Sequence, residues 1–397
     1  MGAADILPTP AAPAAQASHE LGGHIADAIR AAGGWIGFDR YMAMALYEPA
    51  LGYYASGSRK FGADGDFVTA PELSPLFGRC LAAQCAHWFD AAPAAIVEFG
   101  AGSGALAAQL LESLAALGSA PERYSIVELS APLRARQRET LAASVPALAG
   151  RVEWLDALPE RIEGVVVANE VLDAMPVRVF RWREGAVFER GVACAPQGGG
   201  FGFADRPADD AFAARVLAVL REAWAGVDEP VGDYVSEIGE QAQGWVATVA
   251  RRLARGAMLL LDYGFPRAEY YHAHRSTGTL QCHYRHRVHD DPFVWPGLQD
   301  ITAHVDFTAV SRAARAAGLQ PLGYNSQARF LLDCGLLDRL AELPRDDARL
   351  WTKQAQAAQM LLSEAEMGEL FKAIAFGRDV PDDAPGFATR DRRGALA

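Results

Sequence analysis

The chain has 397 residues, of which 51% are hydrophobic and 22% charged, so it is long enough for one large globular domain or two. Its formal net charge is −12, and no block of Lys or Arg dominates. Because phosphate neutralisation supplies much of nucleic-acid affinity, this charge argues against DNA or RNA as the main partner. It permits a basic protein or a small cationic ligand.

Targeting and redox signals in the sequence favour a cytoplasmic protein. No apolar run approaches the roughly 20 residues of a membrane span, so we expect no membrane insertion. Residues 1–18 are Ala/Pro-rich without a basic n-region, which predicts a disordered tail rather than a secretory or transit signal. The cysteines are odd in number, 5, and form no CxxC pair, as is typical of a reducing compartment.

The N-terminal part, residues 19–90, combines helices with an irregular segment. Residues 19–33 predict a helix with apolar side chains on one face. The segment from Tyr41 to Gly78 is aromatic and rich in Gly and Pro, without clear periodicity. Such long connectors are usually functional or disordered, and the aromatic content argues against disorder. We therefore predict a lid or pocket wall, with a structural cap as the alternative.

From residue 94 onward, short apolar runs alternate with amphipathic segments. They predict strands at 94–99, 124–129, 151–155, 164–169, 257–262 and 319–325, with helices at 104–117, 131–143 and 307–317. Apolar runs bounded by turns are typical of strands that are covered on both faces. The alternation predicts an α/β fold with a doubly wound, mostly parallel sheet that binds ligands at the carboxyl ends of its strands.

Two insertions interrupt this predicted domain, which spans 91–326. They cover 176–250 and 263–306, after the fourth and fifth strands. The first begins with a predicted hairpin whose turn is Glu184-Gly185. Residues 327–377 predict a helical C-terminal tail, and 378–397 predict disorder.

A glycine-rich loop, Gly100-Ala101-Gly102-Ser103-Gly104, separates the first predicted strand from its helix. Because glycine has no Cβ, the backbone here can turn sharply and approach a ligand closely. The amides at the start of the helix would face that ligand. The spacing formally satisfies a dinucleotide pattern, so an NAD(P)-dependent oxidoreductase is one alternative.

Three acids near this loop favour S-adenosyl-L-methionine instead. Glu98 precedes the first glycine by two residues, where it would meet a cationic ammonium or sulfonium group. Glu128 ends the second strand, where its carboxylate could accept both ribose hydroxyls, and Asp156 follows the third, where it could hold the adenine amine. The alternative is that Glu98 and Glu128 are solvated strand ends.

Asn169, Glu170 and Asp173 follow the fourth strand and are candidates for the reaction itself. Two carboxylates three residues apart can converge on one cation. Methyl transfer is an in-line displacement in which the enzyme chiefly positions the nucleophile. A guanidinium has a pKa above about 12, so it needs carboxylates that orient it and accept its proton. The alternative is that Asp173 caps a helix.

A His-rich segment invites comparison with zinc sites. It contains His272, His274, Cys282, His283, His286 and His289. The spacings match no structural zinc site, and no second Cys pair supports one, so we predict no metal. A polar pocket wall or a substrate contact is the favoured interpretation.

Several separated segments, taken together, resemble the MidA family, the relatives of the mitochondrial complex I assembly factor that methylates arginine. They are Tyr41-Met42, Gly52-Tyr53-Tyr54, Gly65 to Ser74, Phe77-Gly78, Glu98 to Gly104, Asn169 to Val177, Asp262-Tyr263-Gly264 and Asp300 to Phe307. The resemblance runs from about residue 20 to 376. Ser103 is a departure, because many eukaryotic members carry Arg within this loop. The N-terminus and the Ala/Arg-rich composition favour a bacterial member.

The resemblance implies a class I, Rossmann-like methyltransferase with a seven-stranded sheet and S-adenosyl-L-methionine as cofactor. It implies that the substrate is a protein arginine, in a core subunit of complex I for the mitochondrial branch. With the acids above, the predicted cofactor residues are Glu98, Gly100, Ala101, Gly102, Gly104, Glu128, Asp156, Thr69, Pro71 and Ser74. The predicted catalytic residues are Asn169, Glu170 and Asp173, and the predicted substrate-binding residues are Glu237, His304 and Asp306.

The sequence therefore predicts a cytoplasmic methyltransferase that acts on a protein, with arginine as the acceptor. One alternative is the oxidoreductase, and another is a non-catalytic assembly factor that keeps the fold as a binding platform. The oligomeric state stays open, with a homodimer among the alternatives.

Overall fold

The computed structural model describes residues 7–56, 69–196, 200–226 and 232–397. The chain divides into two compact units, each assembled from three segments. Unit 1 comprises 1–67, 172–243 and 265–306, and unit 2 comprises 68–171, 244–264 and 307–397. Two segments of unit 1 overlap the insertions that the sequence predicts.

The described residues form 16 strands and 13 α-helices. The strands are β1 (Ile36–Gly37), β2 (Ala95–Phe99), β3 (Arg123–Val127), β4 (Val152–Leu155), β5 (Ile162–Asn169), β6 (Arg178–Arg183), β7 (Ala186–Cys194), β8 (Phe201–Pro207), β9 (Asp233–Ile238), β10 (Leu253–Phe265), β11 (Gln281–Tyr284), β12 (Arg287–His289), β13 (Asp300–Thr302), β14 (Val305–Asp306), β15 (Gln320–Ser326) and β16 (Phe371–Arg378). The helices are α1 (Ala12–Ala31), α2 (Phe38–Tyr47), α3 (Ala70–Leu73), α4 (Pro75–Phe89), α5 (Ala105–Ala116), α6 (Ala131–Ser144), α7 (Asp210–Ala223), α8 (Glu240–Arg252), α9 (Arg267–Tyr270), α10 (Phe307–Ala316), α11 (Gln327–Asp333), α12 (Leu336–Ala341) and α13 (Ala348–Leu362).

Unit 2 is built on a mixed sheet in the order β15-β16-β10-β5-β2-β3-β4. The pairs from β10 to β4 are parallel, whereas β16 is antiparallel to both of its neighbours. Strand residues such as Ile96, Val165 and Leu259 share one buried apolar cluster with Phe77 and Leu110 of the helices. Burial of each such side chain contributes about 1.5–3 kcal/mol. The predicted α/β class and the mostly parallel sheet are confirmed.

Strand β16 corrects the prediction of an entirely helical tail over 327–377. Helices α11, α12 and α13 lie in this range, but Phe371–Arg378 is a strand between β10 and β15. Every residue of β16 except Arg378 is buried. A strand covered on both faces has no alternation of polar and apolar side chains, so its pattern does not distinguish it from a buried helix.

Both predicted disordered tails contain ordered structure. Helix α1 begins at Ala12, and its Pro13 lies in the first turn, where proline fits a helix. Within 378–397, the Asp391 carboxylate accepts a hydrogen bond from the Tyr324 amide at 3.1 Å, and Asn325 donates to the Thr389 carbonyl at 3.1 Å. The predictions are therefore wrong for 12–18 and 378–397, whereas residues 1–6 lie outside the described part of the chain.

Unit 1 contains an antiparallel sheet in the order β1-β7-β6-β9, with β8 paired to β7. The predicted hairpin is confirmed as β6–β7, and both turn residues, Glu184 (φ 50°) and Gly185 (φ 82°), have left-handed backbones. A second, smaller sheet has the order β12-β11-β13. Across the described ranges, no helix has the length and apolarity needed to span a bilayer.

Candidate active site

The glycine loop, residues 100–104, follows β2 and leads into α5 in unit 2. Gly100, Gly102 and Gly104 have left-handed backbones, with φ of 68°, 52° and 85°. A Cβ on Gly100 would lie 2.4 Å from Cγ2 of Val171, so the loop also requires glycine for close packing. Gly104 is the N-cap of α5 and has no side chain to accept from the first amides of the helix. Those amides are therefore suited to a polar ligand.

Gln137 of α6 connects the loop to Glu128, and sequence analysis did not identify it. Its side chain is fully buried. Its amide nitrogen donates to the Gly102 carbonyl at 3.1 Å and to Oε2 of Glu128 at 3.3 Å. Its amide oxygen accepts from Nε1 of Trp154 at 2.8 Å. One side chain thus fixes the loop and the carboxylate relative to each other.

Glu128 and Asp156 lie just beyond the carboxyl ends of β3 and β4. Oε1 of Glu128 accepts from the Ser130 amide at 2.8 Å, and burial raises the pKa of the Glu128 carboxyl. Arg134 donates to the carbonyls of Glu128 at 2.6 Å and Leu155 at 2.8 Å, and it pairs with Asp156 at 2.6 Å. The Asp156 side chain is 88% exposed. Arg134 therefore holds the two strand ends together.

Glu98 is buried at the end of β2, only 1% exposed, so it is not a solvated strand end. Tyr124 of β3 donates its hydroxyl to Oε2 of Glu98 at 2.8 Å. Burial raises the pKa of the Glu98 carboxyl to about 7, against the opposing effect of the Tyr124 hydrogen bond. Glu98 therefore changes its charge near neutral pH.

Ser74 has a structural role that explains its burial. Its hydroxyl oxygen accepts from the Leu76 amide at 3.1 Å and so caps helix α4. The same hydroxyl donates to Gln354 at 2.6 Å. These contacts account for Ser74 without a cofactor, so its predicted cofactor role stays a prediction.

The other predicted residues of this segment lie around the short helix α3. Thr69 is its N-cap, and the carbonyl of Pro71 accepts from Gln109 of α5 at 2.7 Å. Ser103 of the glycine loop donates to the carboxylate of Glu72. The segment 69–74 is thus fixed against the loop and its helix. Residues 65–68, which belong to the predicted lid, lie outside the described residues.

Asn169 and Glu170 form a strained turn after β5. Glu170 has a left-handed backbone, φ 54°, which is unusual for a residue with a Cβ. Asn169 donates its side-chain amide to Oε1 of Glu170 at 2.9 Å. The buried carboxylate of Asp262 accepts from the amides of Val171 at 3.1 Å and Tyr263 at 3.0 Å. Asp262 therefore fixes the turn, a role that sequence analysis did not assign.

Three features of unit 2 fit a ligand such as S-adenosyl-L-methionine. Oδ1 of Asn169 and Oγ of Ser130 are buried and have no hydrogen-bond partner among the described residues. Buried polar atoms are normally paired, so both atoms are suited to groups of a ligand. Leu129, next to Glu128, is 77% exposed and offers an apolar surface to a flat ring. The residues present therefore fit this cofactor.

Asp173 belongs to unit 1, where it lies in a turn before β6. It is 5% exposed, and its carbonyl accepts from the Ala303 amide at 3.0 Å. No helix begins at this turn in the described chain, so the alternative that Asp173 is a helix cap is wrong.

Glu237 is fully buried on β9 of unit 1, and protein groups surround its carboxylate. It accepts from the Thr279 amide at 2.9 Å, the Thr279 hydroxyl at 3.0 Å, the Leu280 amide at 3.3 Å and the Tyr270 hydroxyl at 3.1 Å. Burial raises its pKa. Glu237 thus fixes the 279–280 segment, and its role toward substrate stays a prediction.

His304 and Asp306 have described contacts within unit 1. The His304 amide donates to the Thr279 hydroxyl at 3.1 Å. The Asp306 carboxylate pairs with Arg267, whose Nη2 lies 3.0 Å away. Arg267 also pairs with Glu222 at 2.9 Å. These contacts join His304 and Asp306 to other protein groups and do not test a contact with substrate. The substrate roles of both residues therefore also stay predictions.

The described residues form no cluster of metal ligands. Within 7–56, 69–196, 200–226 and 232–397, no group of three or more His, Cys, Asp or Glu side chains is arranged to hold an ion. Cys282 of the His-rich segment is buried on β11.

Comparison with known proteins identifies the family. Residues 80–325 match the family described as S-adenosyl-L-methionine-dependent methyltransferases. The mitochondrial protein arginine methyltransferase NDUFAF7 of Mus musculus is 32% identical over 372 residues, covering 84% of this chain and 79% of the relative. The Danio rerio protein of the same name is 29% identical over 380 residues, covering 88% and 85%.

A solved structure gives the cofactor. The crystal structure of a protein from Burkholderia thailandensis contains bound S-adenosyl-homocysteine. That protein is 53% identical to this chain, with a TM-score of 0.93, and the match covers 98% of this chain and 99% of the other. The cofactor of this chain is S-adenosyl-L-methionine, and the oxidoreductase alternative receives no support. The chain belongs to the MidA-like family of S-adenosyl-L-methionine-dependent methyltransferases.

Proposed function

We propose that this methyltransferase transfers methyl groups to arginine side chains of a protein substrate. The observation that carries this proposal is the similarity, over most of their length, to relatives named protein arginine methyltransferases. The net charge of −12 is compatible with a basic acceptor. We further propose that the substrate is a core subunit of complex I and that the enzyme acts in the cytoplasm. The oligomeric state is proposed to be either a monomer or a homodimer.

We propose that the cofactor residues are those predicted from the sequence, with Gln137 added as a positioning residue. The glycine loop would approach the cofactor with Gly100, Ala101, Gly102 and Gly104. Glu128 would accept the ribose hydroxyls, Asp156 the adenine amine, and Glu98 would face the cationic end. Gln137 supports this assignment because it bonds both the Gly102 carbonyl and Glu128.

The chemistry would depend on the Asn169-Glu170 turn. When bound, S-adenosyl-L-methionine would supply a methyl group from a positively charged sulfur, which keeps the electron pair of the broken S–C bond and leaves as neutral S-adenosyl-homocysteine. The arginine nitrogen that forms the new N–C bond must lose a proton, and the Glu170 carboxylate would accept it while its charge orients the guanidinium. Asp262 supports this role because it holds the Val171 amide, which fixes the backbone of Glu170. Asp173, which lies in unit 1, stays a predicted catalytic residue.

The test is to find where the methyl group is transferred. Protein extract from a strain that lacks this gene is incubated with the purified enzyme and methyl-labelled S-adenosyl-L-methionine, and labelled residues are identified by mass spectrometry. We expect methylarginine in one or a few proteins, and no label with Glu170→Gln. Label on another residue type would overturn the arginine assignment. No label from any extract would favour the non-catalytic assembly factor.

A further inference from the structure

Two tyrosines of unit 1 form a stacked pair that the proposed function does not yet use. The rings of Tyr47 and Tyr54 have centroids 5.6 Å apart and planes 19° apart. The Tyr47 hydroxyl donates to the Ala174 carbonyl at 2.9 Å. The Tyr54 hydroxyl lies 3.0 Å from both carboxylate oxygens of Asp300. Each ring is therefore anchored at its polar end.

The backbone between the rings is also fixed. The Tyr53 amide donates to the Ala45 carbonyl at 2.9 Å, and the Tyr54 amide donates to the Leu46 carbonyl at 2.8 Å. A Cβ on Gly52 would lie 2.5 Å from the backbone nitrogen of Glu48, so this turn needs glycine. The tyrosine pair is thus held in place before any ligand binds, which reduces the entropy lost on binding.

The pair combines an exposed aromatic surface with nearby negative charge. Tyr47 is 43% exposed although its hydroxyl donates a hydrogen bond, so the residue as a whole faces solvent. Burial of the hydroxyl raises the pKa of Tyr47, and Asp300 and Asp173 raise it further through their charges. Both carboxylates are more than nine-tenths buried, so they act on the ring surface through their field rather than by direct contact with solvent.

We propose that the exposed ring of Tyr47, backed by Tyr54 and Asp300, binds the guanidinium group of an arginine side chain. This inference rests on the proposed arginine substrate. A guanidinium is flat and weakly hydrated, so it stacks on an aromatic face more readily than an ammonium does. The fields of Asp300 and Asp173 add attraction for a cation and none for a neutral ligand.

Unit 1 itself contains an example of this contact. Phe203 is 40% exposed, and Cζ of Arg190 lies 5.4 Å from the centroid of its ring. An exposed aromatic ring of the same unit is thus already paired with a guanidinium from within the chain. The carboxylates of Asp300 and Asp173 act on Tyr47, and such charges would attract a guanidinium from a substrate.

The experiment is a binding titration of the full chain labelled with 3-fluorotyrosine, and 19F NMR is used to measure binding. The Tyr47 resonance is identified by its loss in Tyr47→Phe. The probes are N-acetyl-arginine amide and its neutral isostere, N-acetyl-citrulline amide. We expect the Tyr47 resonance to move saturably with the arginine probe only. Asp300→Asn keeps an acceptor for Tyr54 but removes the charge, so we expect binding to weaken roughly tenfold.

Asp233→Asn is the matched control, since it removes a carboxylate of the same unit that pairs with Arg181 and Arg183. We expect it to leave the titration unchanged. Three results would each overturn the site. They are an equal response of the Tyr47 resonance to both probes, no saturable movement of that resonance, or an equal loss of binding affinity in Asp300→Asn and Asp233→Asn. Methylarginine found without probe binding would overturn only this site. Probe binding with the methyl group on another residue type would overturn only the arginine substrate.

Discussion

The buried carboxyl of Glu98 should make the stability of unit 2 depend on pH, and Glu98→Gln should remove that dependence. Glu98 is 1% exposed and accepts a hydrogen bond from Tyr124 at 2.8 Å. Glutamine has nearly the same size and keeps an oxygen for this hydrogen bond, but it carries no charge. The substitution therefore isolates the cost of burying the carboxylate.

The magnitude follows from the pKa of Glu98, which burial raises from 4.5 to about 7. A raised pKa means that the folded state binds the proton more tightly than the unfolded state does. The stability from this group is therefore complete below pH 4.5, falls as the pH rises toward 7, and is lost above that. At 1.36 kcal/mol per pKa unit, the full loss is about 3 kcal/mol.

The assay is chemical denaturation at pH 5 and pH 8, with tryptophan fluorescence as the measure of unfolding. It compares the wild type, Glu98→Gln and Glu163→Gln. Glu163 is the control, since its side chain is 42% exposed and pairs with Arg161 at the surface. We expect the gain from Glu98→Gln to be about 2–3 kcal/mol larger at pH 8 than at pH 5, and Glu163→Gln to show no such difference. Equal gains from Glu98→Gln at the two pH values would refute the reasoning.

Three further substitutions test the loop and the turn. Gly102→Val places a β-branched residue at φ 52°. We expect calorimetry to detect no binding of S-adenosyl-homocysteine, while circular dichroism shows an intact fold. Retained affinity would contradict a close approach of the loop to the cofactor. Glu170→Gln should keep cofactor affinity and lose turnover, and wild-type turnover would move the proton acceptor elsewhere. Asp262→Ala leaves the buried amides of Val171 and Tyr263 without their acceptor, so we expect about 2–5 kcal/mol of destabilisation, with Asp262→Asn restoring part of it. A loss below 1 kcal/mol for Asp262→Ala would contradict this role, since each unsatisfied amide costs about 1–3 kcal/mol.

The part of the fold that the sequence predicts well is the part encoded by local signals. The apolar run before Gly100 and the glycine spacing predict β2, its turn and α5 to within a residue or two, because glycine at φ above zero and buried strands have strong local signatures. The Glu184-Gly185 hairpin is predictable for the same reason.

The features that the sequence does not reveal depend on elements that meet only in the folded chain. The polar atoms of Gln137 bond to groups of the glycine loop, the end of β3 and β4, which lie 35, 9 and 17 residues away in the sequence. Glu237 accepts hydrogen bonds from Tyr270, Thr279 and Leu280, which lie more than 30 residues further along the chain. A lone acid in a strand gives no sign of whether such donors exist.

The position of β16 has a consequence for synthesis on the ribosome. Phe371–Arg378 is translated after both β10 and β15, yet it lies between these two strands in the folded sheet. Until it emerges, β10 and β15 present strand edges that β16 would otherwise pair, and such edges attract other chains. A nascent or truncated chain that ends before residue 371 would contain the glycine loop, Glu128 and the Glu170 turn in full. We still expect it to aggregate unless a chaperone covers the two unpaired strand edges.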